Sequence, residues 1–193
     1  MKELRIAVDA RRLVPGKTGI GRYIHELLQR LPQTLPGAKF YLYSNRPIED
    51  VYPAEYFIRR IDDHPIWSRM PGVLWLRYRA GKLLQADSID LCWASGSLLP
   101  GPRGNWKTVT TVYDFNHLLA PQTMQWLNRF SMQLWFDRDI SESDSVFAIS
   151  QGSADKLQQY FSRQCNAVIH PAVGAVFAPP TAMDVAQVLA QFG

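Results

Sequence analysis

Residues 4–31 read LRIAVDARRLVPGKTGIGRYIHELLQRL, and this stretch decides the fold. Leu4 to Val8 is a short, apolar, β-leaning run that ends in Asp9, the pattern of a buried parallel strand that delivers its end to a loop. The loop spans Ala10 to Thr18. From Gly19 the period changes: Ile20, Tyr23, Ile24, Leu27, Leu28 and Leu31 recur at helical spacing, while Arg22, Glu26, Gln29 and Arg30 fall on the opposite face. Pro32 is expected to end this helix. A buried strand, a glycine-containing loop and an amphipathic helix make the opening unit of a parallel α/β sheet.

The pattern repeats along the chain. Lys39 to Tyr43 and Tyr56 to Ile61 read as the second and third strands, and a Trp/Leu/Arg-rich helical segment from Trp67 to Leu84 is interrupted by Pro71-Gly72. Strands follow at Ile89 to Trp93, Val109 to Tyr113, Val146 to Ile149 and Ala167 to Ile169. Between them stand a Gly/Pro-rich loop from Ser95 to Asn105, a helix from Gln122 to about Ile140, and a helix carrying Ala154, Leu157, Tyr160 and Phe161, capped by Ser150 or Ser153. This alternation predicts a doubly wound parallel sheet of Rossmann-like type. Beyond Pro171, Pro179 and Pro180, a new helical pattern runs from Ala182 to Phe192.

With 193 residues, 47% of them hydrophobic and 20% charged, the chain can bury the core of one α/β domain and not of two. Its formal charge of +4 is carried by scattered Lys and Arg rather than by a basic arm, which argues against a nucleic-acid partner. Cys92 and Cys165 lie in apolar segments without a C-x-x-C or His-flanked setting and are expected to be buried free thiols. No apolar run approaches the roughly 20 residues of a membrane span, and the N-terminus has no signal-peptide core. A cytoplasmic setting is the expectation.

In an open parallel sheet, ligands bind outside the carboxyl ends of the strands, so the loops after strands come first. Gly16-Lys17-Thr18 invites a P-loop reading, but the motif needs a glycine at position 11, which is Arg11. Gly19-Ile20-Gly21 fails the dinucleotide fingerprint because its third glycine would fall on Ile24. Two readings of Gly19 and Gly21 stay open here: a tight turn, or a helix N-terminus whose amides approach an oxyanion, with Arg22 beside them. In Tyr113-Asp114-Phe115-Asn116-His117, Asp114 and His117 could exchange protons near a ligand, or Asp114 could cap a turn and His117 be solvated. Ser95 to Pro100 is permissive backbone with hydroxyls. Between Trp67 and Lys82, Trp75, Arg77 and Arg79 form either an acceptor-binding or membrane-surface face or a half-buried helix with snorkelling cations. His25, His64 and His170 show no metal-ligand spacing, so no metal and no cofactor is expected.

Taken in order, these segments resemble the N-terminal domain of the retaining glycosyltransferases of family 4, also called group 1. The resemblance starts at Ile6-Ala7-Val8-Asp9-Ala10-Arg11 and continues through Gly19 to Ile24 with Leu27-Leu28. Thr110-Thr111-Val112-Tyr113-Asp114 is similar to the family's T-x-H-D-L segment, and Ser143 to Ser150 to its A-D-x-I-I-x-V-S strand. Val168-Ile169-His170-Pro171-Ala172-Val173 with Phe177-Ala178-Pro179 resembles the V-x-x-P-G-V-D-x-x-x-F-x-P passage into a linker.

The resemblance implies one half of a GT-B fold: two Rossmann-like domains across a cleft, acceptor held mainly by the first and nucleotide-sugar by the second. Residues 1–178 are then the acceptor-side domain, and 179–193 the linker and the start of a donor domain. It implies Gly19, Gly21 and Arg22 near the donor diphosphate, and Tyr113, Asp114, His117 and Ser150 near sugar or acceptor. Tyr113 stands where the family has His, so one hydrogen bond to the donor sugar would pass to a phenol. The implied activity is retaining, metal-free transfer of a hexose such as mannose to a polysaccharide, O-antigen or lipid-linked acceptor, with peripheral contact at the inner face of a membrane. The rival expectation is a stand-alone Rossmann-like module that binds a phosphorylated sugar without chemistry.

Overall fold

The computed structural model describes residues 3–16, 18–49, 52–172 and 182–192. Its centre is a seven-stranded, all-parallel sheet in the order β3-β2-β1-β4-β5-β6-β7, formed by β1 (Leu4–Asp9), β2 (Ala38–Ser44), β3 (Phe57–Ile61), β4 (Leu91–Ala94), β5 (Lys107–Val112), β6 (Ser145–Ala148) and β7 (Ala167–Val168). The chain winds from β1 outward to β3, crosses back, and winds outward again from β4 to β7. This is the doubly wound, Rossmann-like arrangement expected from the alternation, and it fits one half of a GT-B fold.

Strand residues divide by period two between the two faces. Ile6, Val8, Phe40, Leu42 and Trp93 pack with Tyr23, Ile24 and Leu28 of α1 (Gly19–Thr34). Ala7, Tyr41, Tyr43, Cys92 and Val146 pack on the other face with Trp75, Leu76, Leu84, Phe136, Ile140 and Leu157. Those partners come from α2 (Gly72–Trp75) and its continuations, from α5 (Trp126–Glu142), and from α6 (Gln151–Phe161). Cys92 is buried as expected, and its thiol pKa is raised by desolvation. Cys165 is only half-buried, at odds with the expectation.

Several boundaries differ from the sequence reading for local reasons. Pro32 lies inside α1, because a ring in the last turn forfeits only one helical bond; Leu35 still donates to Leu31 at 2.9 Å. The expected helix from Gln122 is preceded by two short pieces, α4 (Asn116–Leu119) and a 3₁₀ turn over Pro121–Thr123, and starts at Trp126. The helix after Pro71 passes through a π-helical stretch, Leu76–Ala80, into α3 (Gly81–Ala86). There the loop after β4 replaces part of the helical ladder: Gly101 donates to the Leu76 carbonyl at 2.9 Å, and Gly81 donates to the Gly101 carbonyl at 2.8 Å. Gly81 has to be glycine, since a Cβ would lie 1.9 Å from the Pro102 carbonyl oxygen.

α7 (Ala182–Phe192) forms where the helical pattern resumes, with Met183 and Leu189 exposed. The passage from Val173 to Thr181, including Phe177, Pro179 and Pro180, lies outside the described residues. No described helix is long and apolar enough to cross a membrane.

Candidate functional site

The strand order reverses between β1 and β4, and loops leave the carboxyl ends of these two strands and of β5 along one edge of the sheet. Side chains that diverge there open a crevice, the place where ligands bind in such sheets. A cleft of about 150 Å³ lies at this point. Arg11 and Arg12 come from the β1 loop, Ser97 from the β4 loop, and Tyr113, Asp114 and Asn116 from the β5 loop; Asn128 and Ser131 of α5 close it. A larger groove of about 200 Å³ beside α1 is a poorer candidate for a polar ligand. Its hydroxyls are already used: Tyr23 donates to the Ile169 carbonyl at 3.1 Å, and Thr111 accepts from the Trp93 indole at 2.9 Å.

Local bonding fixes the walls of the cleft except at Arg12. Arg11 is held by Asp9 through Nε to Oδ1 at 2.8 Å and Nη2 to Oδ2 at 2.7 Å, with the Asp9 side chain only 2% exposed. Arg12 has no ion pair or hydrogen bond among the described residues and is exposed. Its pKa is drawn below the ordinary guanidinium value, first by desolvation and then by Arg11, with Asp9 and Tyr113 acting in the opposite sense; an arginine stays charged at neutral pH all the same. Ser97 sits at φ 69°, in the left-handed region that non-glycine residues avoid, and its hydroxyl donates to the Thr111 carbonyl at 2.7 Å. A strained, buried serine at a cleft wall marks a place where surrounding structure overrides local preference.

Tyr113 and Asp114 line the cleft as the β5 loop suggested. Asp114 accepts from the Asn116 backbone N–H at 3.0 Å and from its side-chain amide at 3.1 Å. It therefore caps a turn and still presents an exposed carboxylate. The Tyr113 ring meets Tyr23 edge-on at 5.7 Å. Its hydroxyl is shielded from solvent without a hydrogen-bond partner, and burial raises its pKa well above the ordinary phenol value.

Other expected site residues are placed elsewhere. His117 is buried, not solvated, and faces an aromatic cluster of Phe115, Phe136 and Phe161, with the Phe136 ring centre 4.8 Å away. Desolvation lowers its pKa against the opposing pull of Asp114. The cause is α4, which folds this residue under the loop. Ser150 caps α6, its Oγ accepting from the Ser153 N–H at 3.1 Å. Gly19, Gly21 and Arg22 form the first turn of α1, next to Ile20 at the cleft wall.

The face expected from Trp75, Arg77 and Arg79 is turned inward. Trp75 is fully buried and donates from its indole to Asp62 at 2.8 Å; Arg79 reaches the same carboxylate at 3.1 Å. Burial works to raise the Asp62 pKa, yet the Trp75 and Arg79 bonds hold it below the usual carboxylate value. Arg77 pairs with the buried Asp139 at 2.5 Å and stacks over Trp135. Of this stretch Tyr78 stays 55% exposed, and on α5 Trp126 and Phe130 are 77% and 56% exposed.

Sequence reading missed Arg11, Arg12, Ser97, Asn128 and Ser131. The arginines directly follow the first strand end, which was a signal in the sequence; the others needed the fold. Among the described residues, no group of three or more His, Cys, Asp or Glu could hold a metal ion. Residues 17–175 match the family model of Glycosyltransferase Family 4. No curated protein matches the chain.

Proposed function

The chain belongs to Glycosyltransferase Family 4, and on this premise we propose that it is the acceptor-side domain of a GT-B enzyme. In this reading the enzyme transfers a hexose, mannose by family analogy, from a nucleotide-sugar to a polysaccharide, O-antigen or lipid-linked acceptor with retention of configuration. The observation that carries the reading is the cleft at the sheet's switch point, where a carboxylate, two arginines, two amides and hydroxyls converge. Sugar hydroxyls need such paired donors and acceptors. Asp114 would accept from a hydroxyl, while Asn116 and Asn128 would donate and accept across it.

The donor is held mainly by a second domain, so that transfer requires both halves to hold their substrates together across the cleft. Gly19, Gly21 and Arg22, in the first turn of α1, would meet the donor diphosphate at the helix N-terminus. The protein works in the cytoplasm, at the inner face of the membrane where a lipid-linked acceptor is presented. That contact does not run through Trp75, Arg77 and Arg79, because their side chains are committed to the fold.

The test joins this chain to a donor domain following residue 193 and presents a panel of nucleotide-sugars with glycan and lipid-linked acceptors. Transfer from one donor class is expected, falling about tenfold in Asp114→Asn, where a neutral amide oxygen replaces a charged acceptor. Absence of transfer from every donor, or transfer indifferent to Asp114→Asn, would overturn the reading.

A further inference from the structure

The cleft holds a guanidinium that the fold does not use. Three charged groups line it, Arg11, Arg12 and Asp114, and the buried Asp9 stands behind Arg11. Asp9 and Arg11 neutralise each other through two hydrogen bonds, and Asp114 is engaged by Asn116. Arg12 is left with five N–H donors and no acceptor among the described residues. It feels the positive charge of Arg11 beside it and lies within electrostatic reach of Tyr113. The Tyr113 hydroxyl is likewise a desolvated donor with nothing to donate to.

The first turn of α1 adds to the same field. Thr18 makes no side-chain cap and the turn carries no acidic residue, so among the described residues no side-chain cap or carboxylate of that turn offsets the positive end of the helix dipole. Ile20 of that turn reaches the cleft wall.

We propose that Arg12 and Tyr113 form an oxyanion site that binds a phosphate group of a substrate at the mouth of this cleft. A planar guanidinium pairs with two phosphate oxygens at once, and the phenol supplies a third donor to the same anion. The proposal deepens the glycosyltransferase reading and rests on it for the identity of the anion. Phosphate could arrive on the donor, as a nucleoside diphosphate, or on the acceptor, as a lipid phosphate, with the same chemistry at Arg12.

The test titrates the folded 193-residue chain with inorganic phosphate and pyrophosphate, followed by amide NMR shifts. Saturable shifts at residues 11–13 and 113–116 are expected. Arg12→Gln should weaken binding at least about tenfold, Arg12→Lys less, and Tyr113→Phe measurably, with Lys156→Gln on α6 as the control without effect. Thermal midpoints of the Arg12 variants should match the parent, which separates lost binding from lost folding.

A nucleoside diphosphate binding more tightly than pyrophosphate assigns the site to the donor. A short prenyl phosphate binding more tightly than the nucleoside diphosphate assigns it to the acceptor. No saturable binding, or binding unchanged by Arg12→Gln, overturns the site. The two readings fail separately: sugar transfer unaffected by Arg12→Gln in the two-domain protein removes this site and leaves the activity, whereas phosphate binding without transfer from any nucleotide-sugar does the reverse.

Discussion

Asp9 and Arg11, two residues apart at the end of the first strand, face each other in a two-pronged ion pair, Nε to Oδ1 at 2.8 Å and Nη2 to Oδ2 at 2.7 Å. The pairing consumes the nearest carboxylate and leaves the next arginine in the chain for a ligand. It also uses the space above Gly96, where a Cβ would stand 2.9 Å from Asp9 Oδ2 and 3.5 Å from Arg11 Nη2.

Gly96→Ala should therefore push the carboxylate off its partner. The Asp9 side chain is short and nearly fully buried, so it has little room to give. Destabilisation of about 1–3 kcal/mol is expected from such overpacking, read from urea unfolding midpoints. An unchanged midpoint would mean that the loop after the fourth strand moves as a whole.

Arg77 and Asp139 tie the helix after Pro71 to α5 at 2.5 Å, and Asp139 also accepts the Leu99 N–H at 2.9 Å. Removing one member of a buried pair leaves the other unpaired, so Arg77→Met should cost about 3–5 kcal/mol. Arg77→Met with Asp139→Asn, which keeps an acceptor for Leu99, should recover more than half of that loss in a double-mutant cycle. Burial already raises the Asp139 pKa against the pull of Arg77. Without Arg77 the folded state holds its proton more tightly than the unfolded chain, so Arg77→Met should lose further stability as pH rises above the ordinary carboxylate range. A flat profile would show that Asp139 finds another cation.

Asp144 accepts from Lys107 Nζ at 2.8 Å and from the Thr108 N–H at 2.9 Å, joining the start of β6 to β5. The Lys107 bond is the largest effect; burial, the second largest, opposes it, and the bonds from Thr108 help to hold the pKa at about 2. The folded pKa lies below the unfolded one, so this contribution is present above about pH 4 and is lost as pH falls towards 2. Asp144→Asn should flatten the stability profile in that window and leave it nearly parallel to the parent above pH 5. Equal slopes in both proteins below pH 4 would refute the assignment.

The fold was legible because strand and helix periods alternate cleanly: Ile6 and Val8 against Ala7, then Ile20, Tyr23, Ile24, Leu27 and Leu28, already encode a two-faced sheet with a helix on one side. Half of the β5 loop was legible too, since Tyr113 and Asp114 follow a buried strand end. His117 was misread because a short α4 turns it under Phe115, and such a turn leaves no periodic trace in four residues. Trp75, Arg77 and Arg79 look like an interfacial face only until Asp62 and Asp139, distant in sequence, are brought against them. Buried ion pairs of this kind are invisible to composition. Ser97 was illegible for another reason, since nothing in Ser-Gly-Ser announces which residue takes positive φ.

Gly19 allows the sharpest separation of fold from function. Its two readings were a tight turn that needs glycine and a helix N-terminus that a ligand must approach. The structure bears on the first: Gly19 is the opening residue of α1, its φ is not in the left-handed region, and a Cβ there would meet nothing within 4 Å. The fold thus gives no steric reason for glycine at this position, and alanine should stabilise the helix by a few tenths of a kcal/mol to about 1 kcal/mol. Gly21 is less informative, because it is buried in the same turn and a side chain there mixes packing with ligand approach. Gly19→Ala should therefore melt at the parent's temperature or slightly above it. If the first-turn amides meet a substrate phosphate, the added methyl group obstructs that approach, and turnover at saturating donor in the two-domain protein should fall about tenfold or more. Thermal midpoint and turnover on the same preparation decide the matter: unchanged melting with reduced turnover places Gly19 at the ligand, whereas unchanged melting with unchanged turnover removes it from the site.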